Sequence, residues 1–211
     1  MTVDSLANPE LAEIEVHGIT RSSLLIRGAL AASAVYGTSA VGPFVSSALA
    51  QGAASGDLEI LNFALTLEYL ESDFYNAKGR EVGLSGQARA YAKVFGEQEQ
   101  QHVLALTAAI KQLGGTPVKK PTFVFPAKDE KSFLALASTL ENTGVGAYNG
   151  AGPSLKSKQV LAEAGGIVQV EARHAAAIDL LIGSSPTPSG GFDVPIEKPK
   201  VLAAVMPLIK G

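Results

Sequence analysis

Two short motifs of glutamate and histidine have the residue types and the spacing of metal ligands. Glu99-x-x-His102 and Glu171-x-x-His174 each place a histidine three residues after a glutamate, and the chain has only three histidines. Residues three apart on an α-helix share a face, so each motif would present a carboxylate and an imidazole to the same point. Carboxylate oxygen and imidazole nitrogen together suit a divalent metal ion.

Each motif is preceded by a further glutamate at nearly the same distance. Glu68 lies 31 residues before Glu99, and Glu141 lies 30 residues before Glu171. A glutamate from each of two helices and a Glu-x-x-His from each of two others form the ligand set of a carboxylate-bridged dimetal centre. Four carboxylates carry four negative charges, which two divalent cations neutralise inside an apolar core. The predicted metal ligands are Glu68, Glu99, His102, Glu141, Glu171 and His174.

The composition excludes some kinds of metal site and argues against one kind of partner. The chain has no cysteine, so zinc–thiolate and iron–sulfur sites are excluded. We therefore expect two divalent ions, iron or manganese, as the cofactor. The net charge is −3 and no basic block is present, which argues against nucleic acid as the main partner.

Three further residues near the predicted ligands have alternative interpretations. Glu71 lies one turn after Glu68 and is either a seventh ligand or a surface or outer acid, and its equivalent in the internal repeat described below is Gly144. Tyr75 and Tyr148 lie two turns beyond the first glutamate of each half. They are interpreted as catalytic tyrosines that hydrogen-bond the site or act in redox steps, or else as core residues with satisfied hydroxyls.

An internal repeat of about 73 residues predicts the architecture. Thr-Leu-Glu at 66–68 recurs at 139–141, and Tyr-Asn at 75–76 recurs at 148–149. Each copy is a helical hairpin with one apolar face, which needs a partner to bury it. The expected helices cover residues 56–78, 87–113, 129–148 and 154–182.

The connections between these helices complete the predicted fold. Gly114-Gly115 ends the second helix, and residues 116–128 contain three prolines and form an extended strap across the molecule. We therefore predict an all-α four-helix bundle of two hairpins joined by a long crossover. The bundle is expected over residues 51–185, followed over residues 186–211 by a tail with a short helix that packs on it.

The first 50 residues have the features of an export signal. A basic segment precedes an apolar stretch over residues 28–45, and Ala48 and Ala50 form an A-x-A cleavage site. The basic segment resembles a twin-arginine signal in which Ser22 replaces the second arginine. We predict a periplasmic or extracellular protein cleaved after Ala50, exported by a twin-arginine-like or general secretory route. The alternative is an uncleaved amphipathic or anchoring helix.

The order Glu, Glu-x-x-His, Glu, Glu-x-x-His over residues 56–183 resembles the ferritin-like superfamily. Within it, the chain is similar to the ferritin-like domain family that includes desiccation-related proteins, whose bacterial members often carry export signals. The resemblance implies a ferroxidase, peroxidase or catalase type of dimetal protein with ferrous iron, peroxide or O2 as its partners. It equally accommodates a stress-protective envelope protein with a non-catalytic metal site. The sequence leaves a homo-oligomer open.

Overall fold

The structure is a computed structural model that describes residues 15–16, 19–20 and 55–210. Glu15–Val16 (β1) and Ile19–Thr20 (β2) form an antiparallel pair in which Glu15 is opposite Thr20. The rest of the predicted export segment, including its cleavage site, lies outside the described residues. None of the helices in the described part of the chain has the length and apolar character needed to cross a membrane.

The larger unit is all-α, with four long helices as predicted. Helix α1 continues without interruption into a π-helical turn and one further α-helical turn, and two 3-10 turns follow α3 and α5. A two-stranded antiparallel ladder is the only other regular structure in residues 55–210. The elements are α1 (Ser55–Asp73), the π turn (Phe74–Lys78), the α turn (Gly79–Glu81), α2 (Gly86–Gln112), β3 (Thr122–Phe123), α3 (Glu130–Ala151), the 3-10 turn Gly152–Ser154, α4 (Lys158–Leu181), α5 (Lys198–Val205), the 3-10 turn Met206–Leu208 and β4 (Ile209–Lys210).

Three helix boundaries differ from the prediction by three or four residues, one of them the end of the third helix, which was expected at Tyr148 and lies at Ala151. The first helix was expected to end at Lys78, but it runs on to Glu81 because the π turn absorbs extra residues without breaking the helix. The fourth helix was expected to begin near Ser154, which instead lies in a 3-10 turn that stops where Leu155 adopts an extended backbone. Ser157 caps α4, since its hydroxyl oxygen accepts a hydrogen bond from the backbone N–H of Val160, three residues later.

The direction of each helix follows from the two apolar clusters of the core. Cluster 1 surrounds the stacked rings of Phe74 and Phe133, and cluster 2 surrounds Leu65, Leu106 and Ile110. Helices α1 and α4 run from cluster 2 to cluster 1, and α2 runs from cluster 1 to cluster 2. Helix α3 begins in cluster 1 at Phe133 and reaches cluster 2 at Tyr148, so it runs parallel to α2. The parallel pair α2 and α3 therefore requires a connection that traverses the bundle, and residues 113–129 provide it.

The C-terminal segment is fastened to this framework in two places. Strand β3 of the crossover pairs with β4, with Phe123 opposite Ile209. Before α5, the Ile196 N–H donates a hydrogen bond of 2.8 Å to the Gly146 carbonyl. The segment lies so close to α3 that a Cβ built at Gly150 would stand 2.2 Å from the Ile196 carbonyl oxygen. Gly146 and Gly150, one helical turn apart, thus leave a groove on α3 in which the C-terminal segment lies.

Candidate metal centre

The structure brings all six predicted ligands together at one buried point. In α2 and α4 the ligands fall between residues of cluster 1 and residues of cluster 2, so a polar layer lies between the two apolar clusters there. Each of the four long helices contributes to this layer. The exposed fraction is 0% for each of the four glutamates, 9% for His102 and 2% for His174, the glutamates being Glu68, Glu99, Glu141 and Glu171.

The ligand atoms form two overlapping groups, and within each group they lie within 4.8 Å of one another. Glu99 and Glu171 belong to both groups, so each has one carboxylate in a position to bridge two ions. We call the first group position 1 and the second group position 2. Position 1 consists of Glu68, Glu99, His102 and Glu171, and position 2 consists of Glu99, Glu141, Glu171 and His174.

Several atoms of this cluster have lone pairs that no hydrogen bond uses. Glu99 Oε1, Glu141 Oε2, both carboxylate oxygens of Glu171 and Nδ1 of His174 are buried without a hydrogen-bond partner in residues 55–210. His174 Nδ1 lies 2.8 Å from Glu99 Oε1, but the alignment is not that of a hydrogen bond. Unsatisfied buried polar atoms are costly, and convergent lone pairs are what a cation requires. The donor set therefore fits bound metal ions.

The other ring nitrogen of His174, Nε2, forms a hydrogen bond with a residue that the sequence did not indicate. This nitrogen lies 2.6 Å from Gln98 Oε1. Because an amide oxygen only accepts, the ring donates through Nε2 and leaves Nδ1 for a metal. The Phe95 ring stacks on the imidazole with centroids 4.0 Å apart. Both contacts arise where α2 packs on α4, so no spacing within the sequence marks these residues.

The pKa values of the ligand side chains show that the buried carboxylates need positive charge close by. Burial works against ionisation of Glu99, yet the two imidazoles outweigh it and hold its pKa at about 2. Burial raises the pKa of Glu68 to about 7, although His102 acts in the opposite direction. Burial also disfavours protonated His174, but Glu141 and Glu99 prevail and raise its pKa to about 10. Without metal, the cluster therefore holds protons where cations would otherwise sit.

The two tyrosines hydrogen-bond to predicted ligands on the opposite hairpin. The Tyr75 hydroxyl donates to Glu141 Oε1 over 2.5 Å, and the Tyr148 hydroxyl donates to Glu68 Oε1. Burial and the nearby carboxylates raise the pKa of both phenols well above their usual range, so both remain protonated donors. This placement agrees with the hydrogen-bond interpretation, while a part in catalysis stays a prediction.

Glu71 is part of the buried environment of the site and not a surface acid. Its exposed fraction is 3%, and burial together with the charges of Glu171 and Glu141 raises its pKa well above the usual range. Its carboxylate nevertheless lies outside both groups of closely spaced ligand atoms. Glu97, two residues before Glu99 on α2, is exposed and points away from the site.

Comparison with known proteins agrees with this architecture. The sequence model of the family described as "Ferritin-like domain" matches residues 56–184, a range that contains all four long helices except the first residue of α1. All six predicted ligands lie inside the match. No curated protein matches the chain.

Proposed function

The chain belongs to the ferritin-like domain family, and on this premise we propose that it is a dimetal oxidoreductase that oxidises ferrous iron or consumes peroxide or O2. The observation that carries the proposal is the pair of ligand groups that share Glu99 and Glu171. Shared carboxylates hold two ions close enough to act on one small molecule. The ions would be iron or manganese, since the ligands are oxygen and imidazole nitrogen.

The ligands divide into shared and terminal groups. Glu99 and Glu171 would bridge the two ions, Glu68 and His102 would complete position 1, and Glu141 and His174 would complete position 2. The bound ions would supply redox capacity and Lewis acidity toward O2 or peroxide. The tyrosine hydroxyls hold the terminal glutamates in place and supply protonated donors beside the site.

The overall reaction with peroxide transfers two electrons from ferrous iron to hydrogen peroxide. Two ferrous ions, as substrate, each lose one electron, and one hydrogen peroxide molecule takes up both electrons with two protons to give two molecules of water. The cluster is buried in an apolar core, which keeps other reductants and bulk water away from the site. Solvent reaches the ligands most readily at His102, which has the largest exposed fraction of the six.

The proposal is tested by loading and assaying the protein. The chain is reconstituted with ferrous iron or with manganese, its metal content is measured, and anomalous scattering from crystals identifies the ions. Two ions per chain are expected, followed by consumption of peroxide or O2 above background. Glu171→Gln should lose both properties, whereas Glu97→Gln removes an exposed carboxylate on α2 and should retain both. Fewer than one ion per chain in the wild type would contradict the proposal.

A second candidate function rests on how fully the site is enclosed. The four inner carboxylates have exposed fractions of 0%, and an enclosed site of this kind also suits ions that brace the bundle without turnover. The protein would then be a structural or stress-protective component of the cell envelope. In that case metal removal would lower the melting temperature strongly, while ferroxidase and peroxide rates of the loaded protein would equal those of buffer.

We further propose that the protein acts outside the cytoplasm, after removal of residues 1–50. The support is the basic segment, the apolar stretch and the A-x-A site in the sequence. Expression of the full chain in a secreting host, followed by mass spectrometry of the exported product, should find Gln51 as its first residue. Retention of the intact chain in the cytoplasm would contradict export.

A further inference from the structure

The internal repeat is broken beside the metal centre, where Glu71 has no counterpart. The ligands, the Thr-Leu-Glu segments and the tyrosines recur in both halves, but the position equivalent to Glu71 is Gly144. Glu71 has an exposed fraction of 3%, and its carboxylate lies near those of the predicted ligands, among which Glu171 and Glu141 affect its charge most strongly. A buried carboxylate among other carboxylates is costly unless a cation lies nearby.

Gly144 supplies the space that the Glu71 carboxylate occupies. A Cβ built at Gly144 would stand 3.1 Å from Glu71 Oε1 and 3.7 Å from Glu171 Oε2. Any side chain there would therefore press on Glu71. Gly144 is also one helical turn after Glu141, so the Glu71 carboxylate lies beside Glu171, which both positions share, and on the side of Glu141, which belongs to position 2 alone.

A second break in the repeat affects the same position. Gln98 accepts the Nε2 hydrogen of His174, and Phe95 stacks on its ring. The equivalent positions in the other half are Val170 and Ile167, whose side chains can neither accept a hydrogen bond nor stack as an aromatic ring. His174 is thus held by two contacts that the repeat does not supply for His102. Fixing the ring and the tautomer of a histidine ligand strengthens its binding to metal.

From these two breaks we propose that positions 1 and 2 bind metal with unequal affinity, and that Glu71, admitted by Gly144, makes position 2 the tighter one. Position 2 combines a fixed imidazole with an additional carboxylate close by. Position 1 has a more exposed histidine and no such carboxylate. The first ion to bind therefore enters position 2, and position 1 is filled after it. This inference rests on the proposed metal centre.

The experiment is a titration of the full-length, metal-free protein with manganese in competition with a chelating indicator. The wild type should show two binding steps that differ by at least about tenfold in dissociation constant. Glu71→Gln should weaken the tighter step by about tenfold to a hundredfold and leave the other step unchanged. Crystals grown with one equivalent of manganese should show anomalous density between Glu141, Glu171 and His174.

Three further variants separate the loss of a carboxylate near the site from the loss of one elsewhere, and a steric effect on Glu71 from the replacement of any helical glycine. Glu97→Gln should leave both steps unchanged, because Glu97 is an exposed carboxylate on α2. Gly144→Ala keeps every ligand but presses on Glu71, so it should weaken the same step as Glu71→Gln. Gly165→Ala, where a new Cβ meets no atom within 4 Å, should leave both steps unchanged.

The outcomes distinguish this inference from the proposed function. Two equal steps in the wild type, or unchanged binding in Glu71→Gln, would overturn the inference and leave the metal centre intact. Single-equivalent density at position 1 would overturn it as well. Absence of any binding to the wild type would overturn the proposed centre together with the inference.

Discussion

The Tyr148 hydroxyl, from the last turns of α3, donates a hydrogen bond to Glu68 on α1. The equivalent residue of the first half, Tyr75, donates to Glu141 on α3 over 2.5 Å. Each hairpin thus holds a carboxylate that belongs to the other. The two contacts tie the first and third helices together at the level of the metal centre, so the geometry of the site depends on how the hairpins dock.

Tyr148→Phe is expected to weaken metal binding by about tenfold, because Glu68 loses the donor that fixes its orientation. Tyr75→Phe should act similarly through Glu141. The measurement is a competition titration with manganese on each purified variant. Tyr69→Phe is the matched control, since Tyr69 is a partly buried tyrosine of α1 that packs on cluster 2. Equal affinity in Tyr148→Phe and Tyr69→Phe would show that the hydroxyl does not position the ligand.

Removal of metal is expected to lower the melting temperature by on the order of 10 °C. Five buried carboxylates surround the centre, and without cations they must either repel one another or take up protons, both of which cost free energy in an apolar environment. Differential scanning calorimetry of the loaded and the chelator-treated protein measures the effect, with potassium chloride at matched ionic strength as the control. Identical melting curves would mean that the ions do not support the fold.

Metal binding is expected to release protons and to tighten as the pH rises. Glu68 has a pKa raised to about 7 and His174 a pKa raised to about 10, so at lower pH both groups carry protons that the metal must displace. Affinity should therefore increase steeply up to about pH 7 and more gently from there to about pH 10. Calorimetry in two buffers of different ionisation enthalpy measures the protons released. A pH-independent affinity would contradict the assignment of these ligands.

Gly150→Ala is expected to lower the free energy of unfolding by about 1–3 kcal/mol, as overpacking does. The new Cβ would stand 2.2 Å from the Ile196 carbonyl oxygen, so the C-terminal segment would have to move off α3. Urea unfolding measures the change. Gly165→Ala is the control: it replaces a helical glycine in open space and should stabilise the protein by up to about 1 kcal/mol. Equal stability of the two variants would show that the tail does not depend on this groove.

The sequence by itself determined the four long helices, the crossover and the identity of the six converging side chains. These features depend on local periodicity and on spacing within one helix. A glutamate and a histidine three residues apart share a face wherever the helix lies. Prolines and glycines stop helices through backbone restrictions that act within a few residues. The repeat then indicated that two similar hairpins bury their faces against each other.

Only the tertiary structure decided the surroundings of those six side chains. The sequence left Glu71 open between a ligand and a surface or outer acid, and only the structure shows it buried beside Gly144 of another helix. Gln98 reaches His174 because α2 and α4 are rotated to face each other there. Contacts of this kind depend on the rotation and distance between packed helices, which summed side-chain packing sets and no single spacing encodes.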